Sequence, residues 1–153
     1  MKPSFARQSL AAVCAASLAI ASMAALGQGA SPSPAAQKTE RYRVVLQVSD
    51  ADPAKWNLAL NNARNVQEDL GKGNVDVEIV AYGPGLGMLK GDSKVADRLA
   101  QALDNNIGLM ACENTMRNTK VTKSGMYGGI SYVDAGVVHL MKRQREGWAY
   151  IRP

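Results

Sequence analysis

From Arg41 onward the chain alternates short β-branched apolar runs with longer stretches whose apolar residues recur every three or four positions. Tyr42-Arg43-Val44-Val45-Leu46-Gln47-Val48 reads as a strand, and Ser49-Asp50-Ala51-Asp52-Pro53 follows it. Asp52 fits a helix N-cap and Pro53 the first helical position, where its missing N–H leaves no bond unmade. Trp56, Ala59, Leu60, Ala63, Val66 and Leu70 then keep helical spacing until Gly71 and Gly73 end the run. Val75 to Ala81 predicts a second strand, closed by Gly83-Pro84-Gly85-Leu86-Gly87. A second amphipathic helix is expected from Ser93 to Leu103, burying Val95, Leu99, Ala102 and Leu103. Ile107 to Ala111 predicts a third strand and Ile130 to Val133 a fourth. Val137 to Arg145 predicts another helix closed by Gly147, and Trp148 to Arg152 a last short strand.

Strands separated by helices of this length imply a parallel sheet covered on both faces, a single α/β domain over residues 41–153. In such sheets ligands bind outside the carboxyl ends of the strands, where the strand-to-helix loops gather. Three segments fall there: Ser49 to Asp52, Tyr82 to Gly87, and Cys112 to Thr115.

The first forty residues have a different character. Lys2 and Arg7 precede an almost unbroken apolar stretch from Leu10 to Leu26, and small residues follow at Gly27, Gly29 and Ala30. That order reads as a secretory signal peptide over residues 1–27, cut between 27 and 30, with a flexible Ser/Pro-containing linker over 28–40. An uncleaved anchor is the alternative, since the run approaches the ~18 residues needed to span a bilayer. Ala11-Ala12-Val13 before Cys14 lacks a lipoprotein box. No later segment is long or apolar enough to cross a membrane, so no stable membrane insertion is expected after cleavage. Lys2 and Arg7 leave with the leader, and the net charge drops by two from +5 to +3. That balance is too small and too scattered for nucleic acid, and Arg41/Arg43 and Lys142/Arg143/Arg145 read as solvated faces.

Without the leader, Cys112 is the chain's one cysteine. A lone thiol in an exported protein is a free reactive group, an intermolecular crosslink or a buried bystander. It stands where the apolar run 107–111 gives way to Glu113-Asn114-Thr115. Asn114 and Thr115 fit caps of a short helix starting just after it, and N–H groups at such a start stabilise a thiolate. Arg117, Lys120 and Lys123 would add positive potential, and Glu113 would oppose it. Asp50, Tyr82, Gly83, Pro84 and Gly85 are expected to line the pocket around the cysteine.

Other candidates point to structure. Gly83 to Gly87 matches neither the dinucleotide fingerprint nor a P-loop, and Pro84 removes a phosphate-facing N–H, so a tight turn is expected. Asp50 and Asp52 lack a His/Cys cluster, so neither metal nor cofactor is expected. His139 is the only histidine and reads as structural or surface, which argues against a Cys/His hydrolase. Asn57, Asn61 and Asn65 form a polar stripe on the first helix, either solvated or a subunit interface. Trp148 and Tyr150 read as core or interface.

Ala111-Cys112-Glu113-Asn114-Thr115-Met116, Val48-Ser49-Asp50, Val80-Ala81-Tyr82-Gly83-Pro84-Gly85, Ala135-Gly136-Val137-Val138 and Gly147-Trp148-Ala149-Tyr150-Ile151-Arg152-Pro153 together resemble the DsrE/DsrF-like family, in particular its exported stand-alone branch. The resemblance runs through the whole mature domain in order. It implies a flavodoxin-like three-layer α/β/α sandwich around a mainly parallel sheet of about five strands, and a homo-oligomer. It also implies a periplasmic sulfur carrier or sulfurtransferase-like protein, with Cys112 holding sulfur as a persulfide, Asn114 and Thr115 in local support, and a sulfur donor or acceptor as partner. A non-enzymatic oligomeric module that binds a small ligand or partner is the competing expectation.

Overall fold

The computed structural model describes residues 41–153; the expected leader and linker lie outside the described residues. Five parallel strands form one sheet: β1 (Tyr42–Val48), β2 (Val75–Ala81), β3 (Gly108–Cys112), β4 (Ser131–Val133) and β5 (Ala149–Ile151), in spatial order β4-β3-β2-β1-β5. Four α-helices connect them: α1 (Pro53–Leu70), α2 (Ala96–Asp104), α3 (Glu113–Thr119) and α4 (Gly136–Arg145). This is the flavodoxin-like α/β/α layering that the sequence led us to expect.

The order of the strands decides which face each helix covers. From β1 to β4 the chain steps in one direction, and right-handed crossovers place α1 and α2 on a common face. The connection from β4 returns across the whole sheet to β5, so α4 lands on the opposite face. Strand alternation sorts the side chains accordingly. Val44, Leu46, Val48, Val77, Ile79, Ala81, Leu109 and Ala111 join Trp56, Ala59, Leu60 and Leu99 in the main core. Val45 and Val80 face the other way, toward Leu140 of α4 with Met110, Tyr82 and Trp148 around them.

Local chemistry accounts for the best-defined element. Asp52 Oδ1 accepts the Ala54 N–H at 2.8 Å, Pro53 starts α1, and Gly71 at φ +84° ends it. Elsewhere the elements differ from expectation. The second helix begins at Ala96 rather than Ser93, because Lys90 to Val95 form successive turns. Gly83 to Leu89 is a full 3₁₀ helix rather than a tight turn, since Leu86, Met88 and Leu89 are buried and hold it down. On α1, Asn57 and Asn61 do not face solvent idly: their Oδ1 atoms accept from the Arg98 guanidinium at 2.6 and 2.7 Å, tying α1 to α2.

Candidate functional site

The register of the sheet sets the site. Val48 pairs with Ala81, Ala81 with Ala111, and Cys112 with Val133, so β1, β2 and β3 end together. Cys112 is the last residue of β3 and itself the N-cap of α3, which begins at Glu113; Asn114 and Thr115 therefore stand in the first helical turn rather than capping it. Two residues beyond Met110, its side chain lies on the α4 face. It is 4% exposed.

Two helices, α4 and α3, turn donors toward the sulfur. Gly136, the first residue of α4, donates its backbone N–H to Cys112 Sγ at 3.2 Å. Thr115 offers its hydroxyl and its N–H. That hydroxyl also accepts the Gly83 N–H at 2.9 Å. A hydroxyl has a single proton, so an acceptor bond from Gly83 leaves the proton free to point at the sulfur. The Asn114 N–H contributes as well, shared with the Asp134 carbonyl at 3.0 Å. Burial pushes the Cys112 thiol up, but the Thr115 hydroxyl and the Gly136, Thr115 and Asn114 N–H groups outweigh it, leaving the thiol below its ordinary range.

The opposing charge expected from Glu113 is neutralised. Lys123 Nζ lies 3.0 Å from its carboxylate, and that hydrogen bond and charge hold Glu113 below the usual carboxylate range. Lys123 also sits over the Tyr132 ring, 4.5 Å from its centre. Arg117, Lys120 and Lys123 line a groove of about 440 Å³ with Met116 and Val121 along α3.

Of the residues expected to line the pocket, Tyr82 and Gly83 reach the cysteine's surroundings. Tyr82 packs its Cβ and ring against Gly136, where an added Cβ would come within 3.0 Å. Burial raises the Tyr82 phenol, Tyr150, Asp50 and Cys112 add to this, and Arg152 opposes it. Asp50 is fixed through its backbone, its carbonyl accepting the Trp56 indole N–H at 2.7 Å. Gly85 acts through the backbone: a Cβ there would lie 2.3 Å from the Val48 carbonyl oxygen, so β1 and β2 can end side by side only with glycine. Pro84 is exposed on the outside of the 3₁₀ helix.

Sequence reasoning missed Gly136 and a charged cluster farther along α4. Glu78, 7% exposed on β2, accepts from Arg143 at 2.8 and 2.5 Å and lies 2.8 Å from His139 Nε2. Arg143 also bonds Glu146 at 2.8 Å and stacks on Trp148 at 4.6 Å. Arg143 is thus no part of a solvated face: the Glu78 hydrogen bonds hold its charge even more firmly than usual, and Trp148 becomes its platform. Tyr150 donates to Gln47 and stays largely exposed. The signal for Gly136 was present as a glycine following a strand that neighbours β3, but only the strand order gives that neighbour.

No family model and no curated protein matches the chain. Solved structures do. MTH1491, a protein of unknown function from Methanobacterium thermoautotrophicum, is 36% identical over 73% of this chain and 99% of its own, with a TM-score of 0.70. YchN from E. coli is 12% identical over 74% of this chain and 99% of its own (TM-score 0.60). BT1422, a conserved protein of unknown function from Bacteroides thetaiotaomicron, is 15% identical over 72% and 94% (TM-score 0.55). The last two share the fold alone. The identity and coverage with MTH1491 go further: the chain belongs to the same family as MTH1491, a family of the DsrE-like fold.

Proposed function

We propose that this protein is a periplasmic sulfur carrier of the DsrE/DsrF-like type, in which Cys112 takes up sulfane sulfur as a persulfide and passes it on. The observation that carries the reading is a recessed thiol whose hydrogen-bond donors overcome its burial and favour the thiolate. The thiolate attacks the donor's sulfane sulfur, and the rest of the donor leaves with the bonding electron pair. An acceptor thiolate then attacks the outer persulfide sulfur and returns Cys112 to its thiolate. The same N–H and hydroxyl donors serve the thiolate at both ends of the cycle. Export through the leader keeps the carrier outside the cytoplasm, and the exposed Val137, Val138 and Met141 on α4 support assembly with further copies of the chain.

The test is direct. Purified protein incubated with a sulfane-sulfur donor is expected to gain ~32 Da on Cys112, reversed by a thiol acceptor, with Cys112→Ser unmodified. No adduct, together with slow alkylation of the native thiol, leaves the oligomeric binding module as the better reading. Sedimentation of the same preparation reports the assembly.

A further inference from the structure

The groove along α3 carries a charge pattern that the chemistry of the thiol leaves unused. From Asn114 to Val133 the chain has Arg117, Lys120 and Lys123 and no acidic residue. All three cations are exposed on the rim of the groove, over a floor of buried Met116 and half-buried Val121. The end of α3 builds that floor. Lys120 takes the left-handed conformation at φ +56°, and the Val121 N–H then returns to the Met116 carbonyl at 2.9 Å.

Much of the positive charge is uncompensated. Lys123 is balanced by Glu113 at 3.0 Å. Arg117 meets only a neutral partner, the side-chain oxygen of Asn114, and Lys120 has no ion pair or side-chain hydrogen bond among the described residues. The dipole of α3 supplies only about half a negative charge at its C-terminal end, so it offsets one of these two cations at most.

The shape of the groove narrows the occupant. An inorganic oxyanion would satisfy the cations and leave the apolar floor in water. Small-molecule pockets enclose most of their ligand, whereas this groove is open to solvent. It follows α3, whose seven residues span about 10 Å, the length of about three residues of extended chain. In such a segment the middle side chain points down to the floor and its neighbours point up to the rim. Those neighbours lie about 7 Å apart, within reach of the long Arg117 and Lys120 side chains one helical turn apart.

We propose that the α3 groove docks an extended acidic segment of a partner protein, its central apolar side chain on Met116 and Val121 and its flanking carboxylates on Arg117 and Lys120. Exposed charge pairs are individually weak and screened by salt, so the contact is transient and fast rather than tight. It is independent of whether Cys112 carries sulfur.

The experiment titrates the isotope-labelled protein with a peptide of central sequence Glu-Leu-Glu in a glycine–serine frame and follows the backbone amide shifts of residues 117–123. Saturable shifts are expected there, with affinity about tenfold lower for Gln-Leu-Gln and several-fold lower for Glu-Ser-Glu. The double variant Arg117→Gln/Lys120→Asn keeps a residue that tolerates the left-handed turn, so its amide spectrum should stay native while affinity falls about tenfold. Lys120→Arg should bind like wild type. Raising salt from about 20 to about 200 mM should weaken wild type several-fold and the double variant little. No saturable shift, equal affinity for the neutral peptide, or equal affinity of the folded double variant overturns the proposal. So does saturation by inorganic phosphate at lower concentration than the peptide, which assigns the cations to a small oxyanion. Binding to phosphatidylglycerol vesicles through the same two residues without peptide binding assigns them to a membrane surface, and self-association lost in the double variant assigns them to a second copy; either overturns the acidic segment. Loading of Cys112 by a sulfane-sulfur donor is read separately, so a failed titration leaves the carrier reading standing and a failed loading leaves the groove.

Discussion

The two faces of the sheet are held by different forces. On one, α1 and α2 bury Leu46, Ile79, Leu99 and Trp56 in a continuous apolar core. On the other, α4 alone covers a small apolar group of Val45, Val80 and Leu140, and is fastened by Glu78 to Arg143 and His139. Apolar burial is strong but non-directional, whereas charge-assisted hydrogen bonds fix angle and distance. The first face therefore supplies stability and the second supplies placement. Near its C-terminal end α4 is clamped through Glu78, and its first residue, Gly136, delivers an N–H to the Cys112 sulfur. The thiol sits on the face whose helix is aimed.

That contrast can be broken by experiment. The largest effect should come from Leu46→Ala in the main core, which is expected to cost about 3 kcal/mol in urea unfolding. The alkylation midpoint of Cys112 in the folded fraction should stay where it is. A shifted midpoint would mean that the core also tunes the thiol.

Glu78→Gln should cost less, about 2 kcal/mol, because it leaves Arg143 and His139 without their carboxylate in a partly solvated place. Its distinctive result is an upward move of the Cys112 alkylation midpoint, as α4 loosens and the Gly136 donor drifts. Lost stability with an unmoved midpoint would separate the clamp from the thiol.

The smallest change in stability, under about 1 kcal/mol at neutral pH, is expected for Thr115→Val, which keeps the shape and removes the hydroxyl. Here the midpoint should rise clearly. The sign of the linked stability follows. A folded-state pKa below the ordinary thiol value gives stability that is present above about pH 8.5 and is lost as pH falls through the folded value. The stability gap between wild type and Thr115→Val should therefore widen from neutral toward alkaline pH, as urea unfolding at each pH would show. A gap independent of pH would remove the hydroxyl from the sulfur's set of donors.

Much of this was legible in local chemistry. β1 and β2 appear as β-branched runs, α1 starts at Asp52-Pro53 and stops at Gly71, and Cys112 sits at a strand end. Less legible were features that need partners far along the chain. The glycines from Gly83 to Gly87 suggest a turn, and only packing of Leu86, Met88 and Leu89 makes them a 3₁₀ helix. The asparagine stripe looked solvated or interfacial until Arg98 supplied a partner. Lys142, Arg143 and Arg145 read alike in sequence, yet Arg143 alone meets Glu78, 65 residues away.

The sequence by itself determined the alternation of strands and helices, the caps of the first helix and the position of the thiol at the carboxyl edge, because periodicity and capping are local properties of a few neighbouring residues. The tertiary structure decided which groups surround that thiol. The return of the chain from β4 to β5 puts α4 on the far face, which brings Gly136 to Cys112 and Glu78 to Arg143. Strand order joins residues by space rather than by spacing, and a thiol's acidity depends on what surrounds it in space.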